Sequence, residues 1–452
     1  YGYGNTVSQP SYYLGSVAQK YYLNPAGGIE LRGMSTQVTY LKGLAEKYGI
    51  GVEVLRHGKY KAAVEPFLRN DMSEENREQL QALMDDLWQG TSSRIMASRK
   101  LDSSNFRLVV DSLYGIIPAY SLKYRLADQL LQKTQYESIL KKLAGQKPDD
   151  KLNRVTLANY VNAEEKKDKS ERVVVLYASG DIVNGEEYDG IQSRRYVREI
   201  QKLQKDDDVK AVVLRVNSPG GSANAADEIL FELKQLKTKK PLVVSFGDYA
   251  ASGGYYIAMA GDKIFTSSNT ITGSIGVFGV IPNIKGLAEK NNIKVETVKT
   301  NASSEFASLI NGLAPGARNI LSKSIEQTYA RFVGFVMENR KKSFQQVDDL
   351  GGGRVWSGKR AKALGLVDEV GTLSDAVKYA AGRAKLKDYS VVAYPKKRTK
   401  FQQLFEDLDE EDISTKILIN KVGRENYNLI QAITNPDLKN AVMMQSNLKL
   451  RL

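Results

Sequence analysis

Apolar positions recur in two rhythms along the second half of the chain, and the alternation predicts a layered α/β domain. Val173 to Tyr177 is a β-branched run closed by Ser-Gly-Asp, which predicts a buried strand. From Tyr188 to Gln204 the spacing of Ile191, Val197, Ile200 and Leu203 predicts a helix. Val209 to Val216 and Pro241 to Phe246 predict further strands, and Ser222 can cap the intervening helix, with Ile229, Leu233 and Leu236 on one face. Gly247 to Gly254 reads as a loop before a short helix at Tyr255 to Ala260. Ile264 to Thr266 and Val295 to Val298 read as strands, and Ile325 to Asn339 as a long helix. Strands separated by helices predict a parallel sheet with helical crossovers.

The same pattern occurs twice. KGLAEK opens at Lys42 and again at Lys285, 243 positions later. That offset, without a gap, also aligns Gly4 with Gly247, Tyr12-Tyr13 with Tyr255-Tyr256, Lys20 with Lys263 and Gly33 with Gly276. It continues through Ile50, Val52 and Glu53 against Ile293, Val295 and Glu296, and with a small shift Leu126-Ala127-Asp128 meets Leu366-Val367-Asp368. Two copies of one domain follow. The expected division is a first copy over 1–144, a polar linker over 145–170, a second copy over 171–386 and an extension with patchy helical periodicity over 387–452. The second copy has about seventy residues ahead of the shared part. The chain therefore reads as a fragment that lacks the corresponding N-terminal segment of copy one.

Composition narrows the chemistry. The 452 residues are 42% hydrophobic and 26% charged, ordinary for a globular chain, and no stretch reaches 18 apolar residues. Cysteine is absent, which removes disulfides, thiolate metal sites and a cysteine nucleophile. The single histidine, His57, sits among charged and turn-forming residues, so a Ser-His-Asp triad and a His-based metal centre are both disfavoured. No cofactor or metal is expected. The net charge of +13 is spread along the chain without an aromatic-interleaved motif, so a solvated basic surface is expected rather than nucleic-acid binding.

Two glycine-rich turns follow neighbouring strands: Asn217-Ser218-Pro219-Gly220-Gly221-Ser222 and Ala250-Ala251-Ser252-Gly253-Gly254. Ligands bind at the carboxyl ends of parallel strands. Ser252, set among small residues, is the candidate nucleophile; the backbone N–H groups of Gly253 and of Gly220 or Gly221 are candidate oxyanion donors. The serine needs a base, and a buried lysine can supply one. The repeat sets Ser252 opposite Gln9 and Lys61 opposite Ser304, so each copy lacks what the other would provide.

At these residues the chain resembles the long, two-repeat form of signal peptide peptidase A (protease IV). The matching segments are GKYKAAVEPF (58–67), RVNSPGGS (215–222), AASGGYYIA (250–258), TGSIGVFG (272–279) and GRVWSGKRAKALGLVDEVG (353–371). The resemblance implies two tandem ClpP/crotonase-like domains with parallel sheets and a Ser-Lys dyad of Ser252 and Lys61. It favours Lys61 over the nearby Lys59, and makes Ser274 the residue that orients the lysine. It further implies an endopeptidase that degrades cleaved signal peptides at the bacterial cytoplasmic membrane, with its catalytic domain on the periplasmic side. An N-terminal anchor outside this sequence and a homotetramer are expected. A crotonase-like acyl-CoA enzyme and a non-catalytic envelope scaffold are the alternatives.

Overall fold

The structure is a computed structural model and describes residues 1–157, 159–160, 170–185, 190–301, 303–314, 316–395 and 443–445. It divides into two compact units.

In the larger unit, which includes 38–81 and 168–448, β-branched runs fold as buried strands. The central sheet has the order Val355–Ser357, Ile271–Gly273, Leu242–Ala251, Val209–Ser218, Arg172–Ser179, Ser390–Tyr394, with Lys263–Thr266 also pairing with Leu242–Ala251 and Glu369–Val370 beyond it. All these pairs are parallel except Ile271–Gly273 with Val355–Ser357. Helices Ser193–Lys205 and Ala223–Lys237 cross between strands, and Ser222 caps the second by accepting from Ala225 N–H. The apolar side chains on this face, with those of the long helix Ala317–Arg340, form one core that also takes in Leu55.

The smaller unit, which includes 1–37 and 82–167, has its own sheet and core. Gly2–Val7, Tyr21–Ile29 and Gln129–Leu130 form a parallel sheet, around which Tyr12, Leu23, Ile29, Leu31 and Ile95 are fully buried. Part of its strand register repeats that of the larger unit: Thr6 faces Gly28 and Val7 faces Ile29, as Tyr249 faces Ile271 and Ala250 faces Thr272.

Three features differ from the sequence-based expectations. Residues 38–81, counted with the first copy, pack in the larger unit, because Gly51–Arg56 pairs antiparallel with Phe278–Asn283 and Leu55 joins the larger core. Gly247 to Ala251 is not a loop. The strand continues through it, since Tyr249 to Ala251 pair with Ile271 to Gly273 and Asn217 Oδ1 accepts from the N–H groups of Asp248 and Tyr249. Val295 to Val298 is exposed and forms no strand, having no ladder partner among the described residues. The extension contributes two strands, Ser390–Tyr394 and Met443–Gln445. The latter runs antiparallel between Gly220–Ser222 and Phe278. The remaining helical periodicity expected there lies outside the described residues. No helix among the described residues is long and apolar enough to cross a membrane.

Candidate active site

Ser252 is the hinge between the strand Leu242–Ala251 and the helix Gly253–Ala258. Its φ of +53° is unusual for a residue with a side chain, and such backbone persists only where the surroundings enforce it. They do so here: Ser252 N–H donates to Gly273 O at 2.9 Å, and Tyr256 N–H donates to Ser252 O at 2.8 Å. Gly253 and Gly254 follow because a larger residue would crowd the neighbouring turn at the first position and clash with its backbone at the second. A Cβ on Gly253 would lie 3.2 Å from Gly220 Cα and from Gly221 N, and one on Gly254 would lie 2.7 Å from Ser218 O. The two glycine turns predicted from the sequence are therefore in direct contact. Gly221, at φ +152°, has no room for a side chain, since a Cβ would come within 2.0 Å of Ile182 O. The N–H of Gly220 donates to Ser218 Oγ at 3.2 Å.

Lys61 comes from a distant part of the sequence. It precedes the 3-10 turn Ala62–Val64, and its side chain runs inward through a wall of glycine. A Cβ on Gly353 would lie 2.6 Å from Lys61 Cα, and one on Gly276 would lie 3.3 Å from Lys61 Cδ. Lys61 is 1% exposed and Ser252 0%. Lys61 Nζ lies 2.8 Å from Ser252 Oγ, 2.9 Å from Ser274 Oγ and 3.2 Å from Ser274 O. Ser274 is itself fixed by a hydrogen bond from its N–H to Arg354 O at 2.7 Å. Burial lowers the Lys61 pKa from 10.5 to about 7. An amine with that value is about half neutral at pH 7, where an ordinary lysine is less than about 0.1% neutral.

Ser252, Lys61, Ser274, Gly220, Gly221 and Gly253 thus lie in one buried cluster within the larger unit. Lys59 does not join it. Its side chain is exposed and its Nζ sits 5.3 Å from the centre of the Tyr60 ring. His57 is also elsewhere, hydrogen-bonded to Glu326 at 2.7 Å and stacked on Tyr329. Sequence reasoning missed the buried polar side chains beside the peptide that carries Lys61: Glu65, Ser73, Asn76 and Gln79. An acidic residue in the apolar run Ala62 to Phe67 was the available signal.

The equivalents in the other copy are differently engaged. Gln9, opposite Ser252 in the repeat, is buried; its Nε2 donates to Gly33 O at 3.0 Å, and its Oε1 accepts from the N–H groups of Arg32 and Gly33. Ser304, opposite Lys61, is exposed and bonds within its own turn.

With a buried serine, a lysine at hydrogen-bond distance and glycine turns beside them, the site has the composition of a serine hydrolase. The sequence comparisons agree. The peptidase family S49 model matches residues 1–147 and 234–387, and the Clp protease model matches 162–271. The chain is 35% identical to Protease 4 of Salmonella typhi over 90% of its length. It is 34% identical to Protease 4 of Haemophilus influenzae over 84%, and 30% identical to the chloroplastic serine protease SPPA of Arabidopsis thaliana over 85%. It spans 67%, 63% and 58% of those three proteins, respectively. The chain belongs to peptidase family S49 and is a serine peptidase of mixed α/β fold.

Proposed function

We propose that the protein is an endopeptidase with a Ser-Lys dyad in which Ser252 is the nucleophile and Lys61 the general base. The hydrogen bond between Lys61 Nζ and Ser252 Oγ, made out of water, is the observation that carries this reading. A neutral lysine has two N–H groups and one lone pair. Ser274 Oγ and Ser274 O can accept the two N–H groups, which leaves the lone pair directed at the Ser252 hydroxyl. As Oγ attacks the scissile carbonyl, its proton passes to Nζ. The oxyanion is held by Gly253 N–H and by the Gly220–Gly221 turn; each such donor is worth about 100- to 1,000-fold in rate. Lys61 then returns the proton to the leaving amine, and repeats the cycle with water to release the acyl group.

A peptide substrate enters as an extended strand. The antiparallel pairing of Met443–Gln445 with Gly220–Ser222 and Phe278 supports this, because it indicates that these edges accept a strand beside Ser252. We take the substrates to be cleaved signal peptides and other apolar peptides. The proposed setting is the periplasmic side of the bacterial cytoplasmic membrane, with an anchor outside this sequence and a homotetrameric assembly. The family and its similarity to the two Protease 4 enzymes support that setting.

The test is hydrolysis of a fluorogenic signal-peptide segment by purified Lys61→Ala and Lys59→Ala, with Ser252→Ala as the blank and a serine-directed phosphonate as label. Lys61→Ala is expected to fall to the blank while Lys59→Ala keeps its rate. A Lys61→Ala protein that hydrolyses peptide at the original rate overturns the dyad, and wild-type protein whose Ser252 takes no label overturns the nucleophile.

A further inference from the structure

Beside the peptide that carries Lys61 lies a row of buried polar side chains that the mechanism above does not use. Glu65 is 0% exposed, and its carboxylate takes hydrogen bonds from Ser73 Oγ and, at 3.1 Å, from Asn76 Nδ2. Gln79 is 3% exposed; its Nε2 donates to Asn76 Oδ1 at 3.1 Å and to Tyr60 O at 3.1 Å, and its Oε1 accepts from Val355 N–H at 3.3 Å.

We infer that Gln79 is a positioning residue for Lys61, holding the peptide that carries the lysine against the strand beside Ser274, and that Glu65 sets the direction of Gln79 through Asn76. This rests on the reading of Lys61 as the base.

Two connections make Gln79 more than a filler of space. On one side it grips the carbonyl of Tyr60, whose peptide bond is made to Lys61 itself. On the other it grips Val355, the residue that faces Gly273 across the antiparallel pair. Gly273 O receives the N–H of Ser252, and the neighbouring Arg354 O receives the N–H of Ser274. One carboxamide therefore spans from the backbone of the base to the backbone that fixes its two partners.

The hydrogen-bond polarity of the row explains the buried carboxylate. A Glu65 carboxylate oxygen takes the hydrogen bond of Asn76 Nδ2, so the NH2 of Asn76 faces it and the Asn76 carbonyl faces away. That carbonyl can only accept, so the NH2 of Gln79 must face it, and the Gln79 oxygen is left for Val355 N–H. A carboxamide can flip between two nearly isosteric poses; the acidic end of the row removes that choice. The nearby pair Glu78–Arg354 also joins the two segments, but its carboxylate is largely exposed, and exposed ion pairs hold geometry weakly.

Positioning of this kind is read in kcat rather than in KM. A displacement of the reacting groups by about 1 Å costs on the order of 100-fold in rate. The experiment measures peptide hydrolysis across pH, and melting temperature, for the full chain carrying Gln79→Leu or Glu65→Gln, with Lys61→Ala alongside. Gln79→Leu is expected to lower kcat by about 10- to 100-fold, with KM within about twofold. Its rate should rise at higher pH than that of the original, because water reaching Nζ restores part of the ordinary lysine basicity. Glu65→Gln keeps the shape of the row but frees its direction, and should lower kcat severalfold with KM unchanged. It decides the matter if Gln79→Leu does not fold. Unchanged kcat and pH dependence in both variants, with Lys61→Ala inactive, overturns the positioning role alone. So does a rise in KM without a fall in kcat. A fully active Lys61→Ala overturns the reading beneath it as well.

Discussion

The two copies keep the same struts and differ at the place where chemistry would occur. In the first, Tyr12 Oη donates to Leu126 O at 2.7 Å, and Asp128 takes hydrogen bonds from Tyr21 N–H at 2.7 Å and Arg99 at 2.8 Å. In the second, Tyr255 Oη donates to Leu366 O at 2.6 Å, and Asp368 takes hydrogen bonds from Ile264 N–H at 2.7 Å and Arg340 at 3.0 Å. Buried polar groups left without partners are costly, so this constellation persists in both copies wherever the strand, helix and aspartate meet. The nucleophile position is under no such demand. Gln9 satisfies itself on the Arg32–Gly33 backbone, whereas Ser252 is held in a strained turn with its hydroxyl on an amine.

The largest effect separates the two positions directly. Removal of Ser252 or Lys61 by alanine is expected to reduce peptide hydrolysis by about 10,000-fold or more. Ser304→Ala, at the place that matches Lys61 in the other copy, should leave the rate unchanged; a large loss there would show that the position opposite Lys61 also takes part in the chemistry.

The next is pH. The proposed base, Lys61, would work only when neutral, so kcat/KM should rise about tenfold per pH unit below a midpoint near 7 and level off above it, as a pH–rate profile would record. Stability moves in the same sense. The folded chain releases the Lys61 proton near pH 7 and the unfolded chain near 10.5, so the unfolded state binds more protons in between, and folding gains stability as pH rises through that window. Denaturant titrations at pH 7 and 9 should differ in that direction. They should differ less in Lys61→Met, which is expected to be inactive and, at pH 7, about 1–3 kcal/mol more stable.

Gly353→Ala should lower kcat by about 10- to 100-fold, since φ is +86° and the added methyl meets Lys61 Cα; an unaltered rate would mean that the glycine wall does not set the lysine. The smallest effect tests the shared struts. Arg99→Ala and Arg340→Ala each remove a buried guanidinium from a partly exposed aspartate and should cost similar amounts, about 1–3 kcal/mol, in chemical denaturation. Costs that differ severalfold would break the equivalence of the copies.

Much of this was legible in the sequence because glycine, serine and repeat spacing carry it. The repeat aligned Gln9 with Ser252 by counting, and the Pro-Gly-Gly and Ser-Gly-Gly turns needed no coordinates to attract notice. Residues 38–81 were harder. Sequence identity assigns them to the first copy, yet their strand pairs where Leu55 finds apolar cover, and packing decides unit membership. The end of the strand at Ala251 was hidden because Gly247 and the small residues after it look like a loop until a neighbouring strand and Asn217 supply partners. Gln79 left no trace, since a glutamine on a helix reads as solvent-facing until the carbonyl it grips is known.

The distance along the chain between the two halves of the proposed dyad has a consequence for the life of the protein. Lys61 and Ser252 are 191 residues apart. During synthesis the proposed base emerges long before the proposed nucleophile, and the strand Gly51–Arg56 pairs with Phe278–Asn283 across about half of the chain. A fragment that ends before the second copy holds a lysine with nothing to activate. One that lacks residues 38–81 holds a serine with no base. A dyad divided this way would leave the hydrolase harmless to its surroundings until it is whole, and a single cut between the two residues, if the pieces part, would return it to that state.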